Sequence, residues 1–556
     1  MDSSHKEKIK HLLTLQDDIK HQPYSITRRL TLAHAYKSLG YPDLAAGDAY
    51  KALLLIDEVT EETEYHDEAM MIAQIDILRE SMAGVDLDSD KELPETPDEQ
   101  IISWARSDCL FRAYDLLIAC LLDCSCLRSA HDYILRALEA FPDGQSFKEY
   151  RRLLSKKLSA HFEADENRVN SMDIDEYPDK GLVRRENYPW NAHEPDRYSV
   201  ECLDHLAEEL KLVAPKLEVR VAQLPALSSS AAGHSNSSQI KVVKQLGLFA
   251  KEDISPGERV LEEKSLLTAI SRLHDKYCDA CSILLPDYNA SNSGEGTDAL
   301  IIACEDCDEV FFCSTDCHDL AQHNYHPALC GINLNQGKVP AREAADNLYT
   351  LLLVRALALA QTREIHPLDL KEIRYIWGDY HGFDLDLLRH HDPEGQSLDS
   401  FGAIPRSLPF SFTHNVLTPL HVLEKMDVNI YTESHRYDTW IFNILFAKFR
   451  GTASAQQGLD GRPEIGAIHP MWCLANHSCD PNVAWEWQGS MRFWAREHLV
   501  AWKGQPSSKA PGLRAGNEVL SHYCDVNLPV KERREWAIGA LGGQCVCQRC
   551  VWEANA

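Results

Sequence analysis

Asn476-His477-Ser478-Cys479-Asp480-Pro481-Asn482 decides the reading of this chain, because two later strings follow it in order: Ser521-His522-Tyr523-Cys524-Asp525 and the tail Cys545-x-Cys547-x2-Cys550. Alone, the Asn476-His477 pair reads as a helix cap beside a core histidine. The cysteines add more. The chain has 18 of them. Residues Met1 to Lys8 lack the apolar run of a secretory signal, and no stretch of about 18 apolar residues occurs. The expectation is therefore an intracellular protein, nuclear and/or cytoplasmic, without a membrane segment. Its thiols stay reduced there, so clustered cysteines read as metal ligands rather than disulfides.

Seven cysteines fall between Cys278 and Cys330, and four more are Cys479, Cys545, Cys547 and Cys550. Cys278-x2-Cys281, Cys304-x2-Cys307, Cys313-x3-Cys317 and His326-x3-Cys330 supply eight ligands in pairs, enough for two tetrahedral zinc ions. His323 stands as an alternative to His326. Cys109, Cys120, Cys124, Cys126, Cys202, Cys473 and Cys524 complete no ligand set and read as small core residues.

With 56 Lys+Arg against 85 Asp+Glu, the formal charge is -29, which disfavours a general phosphate-binding surface and suits a basic peptide partner. Nucleic acid is the weakest choice of ligand. The length of 556 residues holds two to four domains, and 44% apolar with 25% charged residues is ordinary for a globular chain.

Around the opening stretch, the three ordered strings resemble the C-terminal half of a SET domain. That resemblance implies a protein-lysine N-methyltransferase using S-adenosyl-L-methionine, with Asn476 and His477 at the cofactor and Tyr523 at both cofactor and reacting amine. It also implies that Cys479, Cys545, Cys547 and Cys550 share a third, closed zinc site. Upstream, Ile240 to Glu258 reads as strand, turn and strand and resembles the opening hairpin of the same domain, implying cofactor contacts at Lys244 and Gly247. The family's glycine pair is broken here by Gln245, and its aromatic residue before the tail cysteines is replaced by Gly543, leaving Trp552 to offer a ring face.

The order of the eight earlier ligands resembles a MYND finger, whose interleaving would group Cys278, Cys281, Cys313 and Cys317 in one site and Cys304, Cys307, His326 and Cys330 in the other. Leu32, Ala33, Tyr36, Gly40, Ala45, Ala49 and Ala52 fall where a tetratricopeptide repeat (TPR) places its packing residues, with Gly40 at the turn. A looser copy ends in Ala130, Ala137, Leu138 and Pro142, with an extra helix expected near Met70 to Leu78 and a loop over Asp86 to Gln100.

The expected fold is multi-domain α+β. Helical repeats span 1–160, an extended segment with a Ser-rich linker 161–238, and the first SET part 239–277. The finger follows at 278–330, a helical insert at 331–465, the second SET part at 466–530 and the zinc tail at 531–556. A domain boundary is expected in the Ser-rich linker, and Lys503 to Leu513 reads as a loop that merely lengthens a hairpin. The partners implied are a basic protein substrate such as a histone tail, and a peptide at the repeats or the finger. The alternative function is a catalytically silent adaptor.

Overall fold

The computed structural model describes residues 3–81, 96–165, 168, 171–184, 187–225, 242–271, 276–286, 301–307, 309–332, 343–377, 406–457, 463–541 and 543–556. The chain divides into two compact units, Met1–Trp190 with Phe383–Asn443, and Asn191–Gly382 with Ile444–Ala556.

The first unit is built from helices. Ile26–Ser38 packs on Pro42–Thr60, Leu110–Asp123 packs on the latter, and Leu127–Ala140 and Gln145–Phe162 follow. Leu32, Ala33, Tyr36, Ala45, Ala49 and Ala52 are all buried, the alanines letting the backbones approach closely. Gly40, at φ +82°, ends the first helix: its N–H donates to Lys37 O and that of Tyr41 to Tyr36 O, both at 3.0 Å. Both bonds satisfy helix carbonyls that would otherwise lack partners. The extra helix is His66–Ser81. The expected acidic loop mostly lies outside the described residues, but its end is helical from Asp98, where two acids suit a helix N-terminus.

Ion pairs sit inside this unit. Arg29 meets Asp48 at 3.0 Å, each side chain 1% exposed, and Lys51 meets Asp438 at 2.9 Å. Buried charges are tolerated only in such pairs. The segment with Tyr188 and Trp190 is pinned by its rings, stacked at 5.2 Å and set against Tyr41. Gly181–Arg184 forms a strand antiparallel to Arg406–Phe410, so part of the expected helical insert belongs with the N-terminal helices instead.

The second unit is a set of small sheets around one core. Leu217–Pro225 pairs antiparallel with Val242–Ala250; Val483–Trp487, Met491–Ala495 and Arg259–Glu263 form a second sheet; Thr268–Ile270, Pro463–Ala467 and Ser454–Gln457 a third. Leu246, Leu248 and Ala250 alternate into the core beside Leu261, Phe493 and Ala495. Two expectations are corrected. The Ser-rich stretch is not a boundary, because the strands on either side of it pair with each other. The upstream segment, expected to be extended, contains the helix Val200–Val213, capped by Ser199; composition describes the connecting loop and says nothing about what its flanks pair with.

Candidate functional site

Asn476 and His477 form a short strand parallel to Leu520–Ser521, Asn476 opposite Leu520 and His477 opposite Ser521. Asn482 extends this pairing by imitating a peptide group: its Nδ2 donates to Glu518 O and its Oδ1 accepts from Leu520 N, both at 2.8 Å. Two distant parts of the chain are thereby held side by side.

Glu263 sets the approach to that strand. Its carboxylate oxygens accept from the backbone N–H groups of Met471 (3.0 Å) and Trp472 (2.9 Å), opening the one-turn helix Trp472–Leu474. Burial raises this carboxyl to about 7, although both N–H groups act to lower it. The folded chain therefore keeps a proton that the unfolded chain releases near the ordinary value of 4.5. Stability from this group is fully present below about pH 4.5 and is lost as pH rises through about 7. Glu263→Gln should remove that slope. It should also cost about 1–3 kcal/mol at pH 5, because an NH2 group would face a backbone N–H. Denaturant unfolding of both proteins from pH 4 to 8 measures each effect; parallel pH profiles would refute the assignment.

Asn476 Nδ2 donates to Leu246 O (3.0 Å) and Glu518 Oε1 (2.7 Å). Burial raises the Glu518 carboxyl, and the Asn476 bond opposes that rise. Gly247 lies under this pair. A Cβ there would come within 2.8 Å of Glu518 Oε1 and 2.9 Å of Asn476 Nδ2, so the close approach requires glycine. Strand alternation places Gln245, Gly247 and Phe249 on this face and Lys244 on the other. Lys244 is exposed, and its carbonyl already accepts the Tyr198 hydroxyl at 2.7 Å. The structure thus brings Gly247 to Asn476 but turns the Lys244 side chain away.

Tyr523 follows the parallel partner strand. Its Oη donates to Ala475 O (2.8 Å), and its backbone N–H donates to His477 Nδ1 (3.0 Å), with the two rings 5.1 Å apart. Burial pushes the phenol well above its ordinary range, so it stays protonated at neutral pH. His477, held neutral by burial with its pKa lowered to about 4, spends its side chain inside the protein: Nε2 lies 3.4 Å from Cys479 Sγ.

The cysteines gather as groups whose ligand atoms all lie within 4.8 Å of one another: Cys278, Cys281, Cys313 and Cys317; Cys304, Cys307, His326 and Cys330; Cys479, Cys545, Cys547 and Cys550. Zinc–sulfur bonds of about 2.3 Å in a tetrahedron place sulfurs about 3.8 Å apart. Cys281–Cys313 is 3.7 Å, Cys313–Cys317 3.6 Å, Cys304–Cys330 3.9 Å and Cys479–Cys545 4.0 Å. The donor sets fit zinc. His326 Nε2 lies 3.1 Å from Cys304 Sγ, whereas His323 is exposed and bonds Asp319 O.

Cys524 is buried in a small core cluster, as expected, and it also forms a further group with His477 and Cys479. No local spacing shows this; the parallel strand pairing brings it there. His193, His366 and Asp369 also cluster. Their imidazoles stack 3.7 Å apart and 4° from parallel, so the ring lone pairs run side by side instead of converging.

Three arginines fasten the tail. Arg549 Nη1 donates to Cys479 O (2.9 Å) and Val526 O (2.8 Å), and Arg534 Nε to Cys545 O (3.0 Å). Arg533, 1% exposed, lies 3.7 Å from Cys550 Sγ. Four thiolates around a divalent ion would leave two negative charges, beside which stands this one guanidinium, shared with Glu553 Oε2 at 2.5 Å. Arg533→Met should therefore weaken metal retention at the tail by about 10–100-fold, read by competition with a chromophoric chelator; unchanged retention would remove Arg533 from that role. Lys503 to Leu513 does more than lengthen a hairpin, because Lys509 Nζ pairs with Asp480 Oδ2 at 2.7 Å; Trp502, just before it, packs on Trp552 at 5.9 Å.

The family model described as SET domain matches residues 245–501. That span, a little under half of the chain, is similar to a SET domain. No curated protein matches the chain. The matched span includes Asn476 and His477 and ends before Glu518, Tyr523 and the tail cysteines.

Proposed function

We propose that this protein is an S-adenosyl-L-methionine-dependent protein-lysine N-methyltransferase of the SET and MYND class, preceded by TPR-like repeats. The observation that carries the reading is the meeting of Asn476, Gly247 and Tyr523 at one crossing of the chain. SET domains are typically protein-lysine methyltransferases, and some are inactive. The cofactor, when bound, supplies an electrophilic sulfonium methyl group.

The residues present suit that chemistry. Gly247 leaves the backbone bare against the Asn476 amide and the Glu518 carboxylate, the polar groups that would meet the cofactor. A lysine amine, with a reference pKa of about 10.4, is neutral in only about one molecule per thousand near pH 7. Only the neutral form attacks, and a dry, cation-bearing site lowers its pKa. Tyr523 Oη is anchored by donation to Ala475 O, which leaves its lone pairs to accept an amine N–H and aim the nitrogen. Because the phenol remains protonated, it positions the amine and removes no proton.

Three zinc ions are proposed, two in a MYND-type finger and one behind the tail, bracing without an open coordination position. The net charge of -29 favours a basic protein substrate such as a histone tail. The repeats or the finger would hold a peptide partner, and the setting would be nuclear and/or cytoplasmic. A silent adaptor is the second reading, favoured by Trp552, which packs on Trp502. Methyl transfer from labelled cofactor to histones and whole-cell extract tests the choice. Label on protein lysines supports the enzyme; zinc-replete, folded protein that binds no S-adenosylhomocysteine and transfers nothing favours the adaptor.

A further inference from the structure

Arg197 lies upstream of the matched domain, yet its guanidinium sits on the site face of the strand Val242–Ala250. Its Nη1 donates to Gln245 Oε1 at 2.5 Å. Gln245 and Gly247 lie on the same side of that strand, about 7 Å apart along it, so Arg197 is bonded to the residue one strand repeat from the glycine that meets the Asn476 amide. Arg197 is 9% exposed, with its Cζ 4.9 Å from the Trp377 ring centre. Its Nη2 is buried and has no hydrogen-bond partner among the described residues. Of the two acids just before it in sequence, Asp196 accepts from Tyr198 N at 2.9 Å and Glu194 pairs with Lys448 at 2.9 Å. Burial lowers the Arg197 pKa to about 10. A buried guanidinium nitrogen without an acceptor is costly unless a ligand completes it.

A second cation on this face is Arg220, opposite Gly247. It is exposed, paired with Glu218, and lies over the Phe249 ring. It is already neutralised. We propose that Arg197 and Gln245 together bind the carboxylate of the cofactor's amino-acid arm, Arg197 through Nη2 and Gln245 through its amide NH2, whose oxygen is already committed to Arg197. This rests on the cofactor reading above. It also explains why glutamine can stand at position 245: the side chain supplies a donor in the place where bare backbone was expected.

The test compares S-adenosylhomocysteine with 5′-methylthioadenosine, which keeps the nucleoside and thioether but lacks the amino-acid arm. Calorimetry uses the full-length, zinc-loaded protein. Arg197→Gln should weaken S-adenosylhomocysteine by roughly 10–100-fold and leave methylthioadenosine within about twofold. Gln245→Glu, close to isosteric, should pair with the guanidinium, repel the ligand carboxylate and give the same selective loss. Arg220→Ala should not separate the two ligands. Equal loss of both ligands in Arg197→Gln and Gln245→Glu, at unchanged zinc content, would mean that the pair only supports the fold, and no loss in either variant would overturn the assignment outright. Wild-type protein binding neither nucleoside would instead bring down the cofactor reading itself.

Discussion

Stripping the protein with a strong chelator at neutral pH should unfold the segment from Cys278 to Cys330 and release the tail from Cys545 onward, while the N-terminal helices stay folded. The cysteine-rich segment has little else to hold it: among its described residues are the two-residue strands Ile302–Ala303 and Phe311–Phe312 and one regular helix, Thr315–Asn324. A structural zinc supplies about 10–16 kcal/mol to such a fold, more than so small a core can replace. Without the ion, crowded thiolates must either protonate or repel one another. The helices Ile26–Ser38 and Pro42–Thr60 depend on Leu30, Ala33, Tyr36 and Ala49, and on the Arg29–Asp48 pair, none of which belongs to a cysteine group. Amide hydrogen exchange followed segment by segment measures the contrast, with elemental analysis giving three zinc ions per chain before treatment. Unchanged exchange in the metal-free tail would show that Arg549 and Arg533 hold it alone.

Much of this was legible because its signals are local. Paired cysteines at two- and three-residue spacings announce metal sites, and the small residues from Ala33 to Ala52 announce close helix packing whatever lies beyond them. Gly40 is equally local, since a turn at positive φ asks for glycine. What stayed hidden depends on contacts across long separations. Nothing beside Arg29, Asp48 or Lys51 in sequence shows that they will be buried, or that Asp438 will meet Lys51. Leu217–Pro225 reads as part of a linker because its partner strand lies beyond a Ser-rich stretch.

The site shows the same division. Asn476, His477 and Tyr523 stand in strings that can be read directly. Glu518 sits in a legible string as well, but its bond to Asn476 arises only once the two strands run parallel. Arg197 carries no local signal at all; Gln245, a departure from the expected glycine, was the one hint that something else occupies that end of the site. The Lys244 side chain takes the other face of the same strand, since placing a residue in a motif does not say which face it takes.

Tyr523→Phe should lower methyl transfer by about a hundredfold or more while leaving S-adenosylhomocysteine affinity and zinc content nearly unchanged. The phenol fixes where the amine nitrogen waits, and an error of about 1 Å in that position is enough for a loss of this size. The fold should tolerate the change. Only the hydrogen bond to Ala475 O is lost, worth about 1 kcal/mol, and the backbone bond from Tyr523 N to His477 Nδ1 remains. Asn476→Ala should behave differently, acting first on cofactor affinity, because its amide lies at Gly247 and not at the phenol. The pH profile separates positioning from proton removal. With the phenol held protonated by burial, the rise of rate with pH belongs to the substrate amine, so Tyr523→Phe should lower the profile without changing its shape. A variant whose pH dependence flattens would make Tyr523 the base, and one with wild-type turnover on a verified substrate would give the positioning of the amine to a different residue.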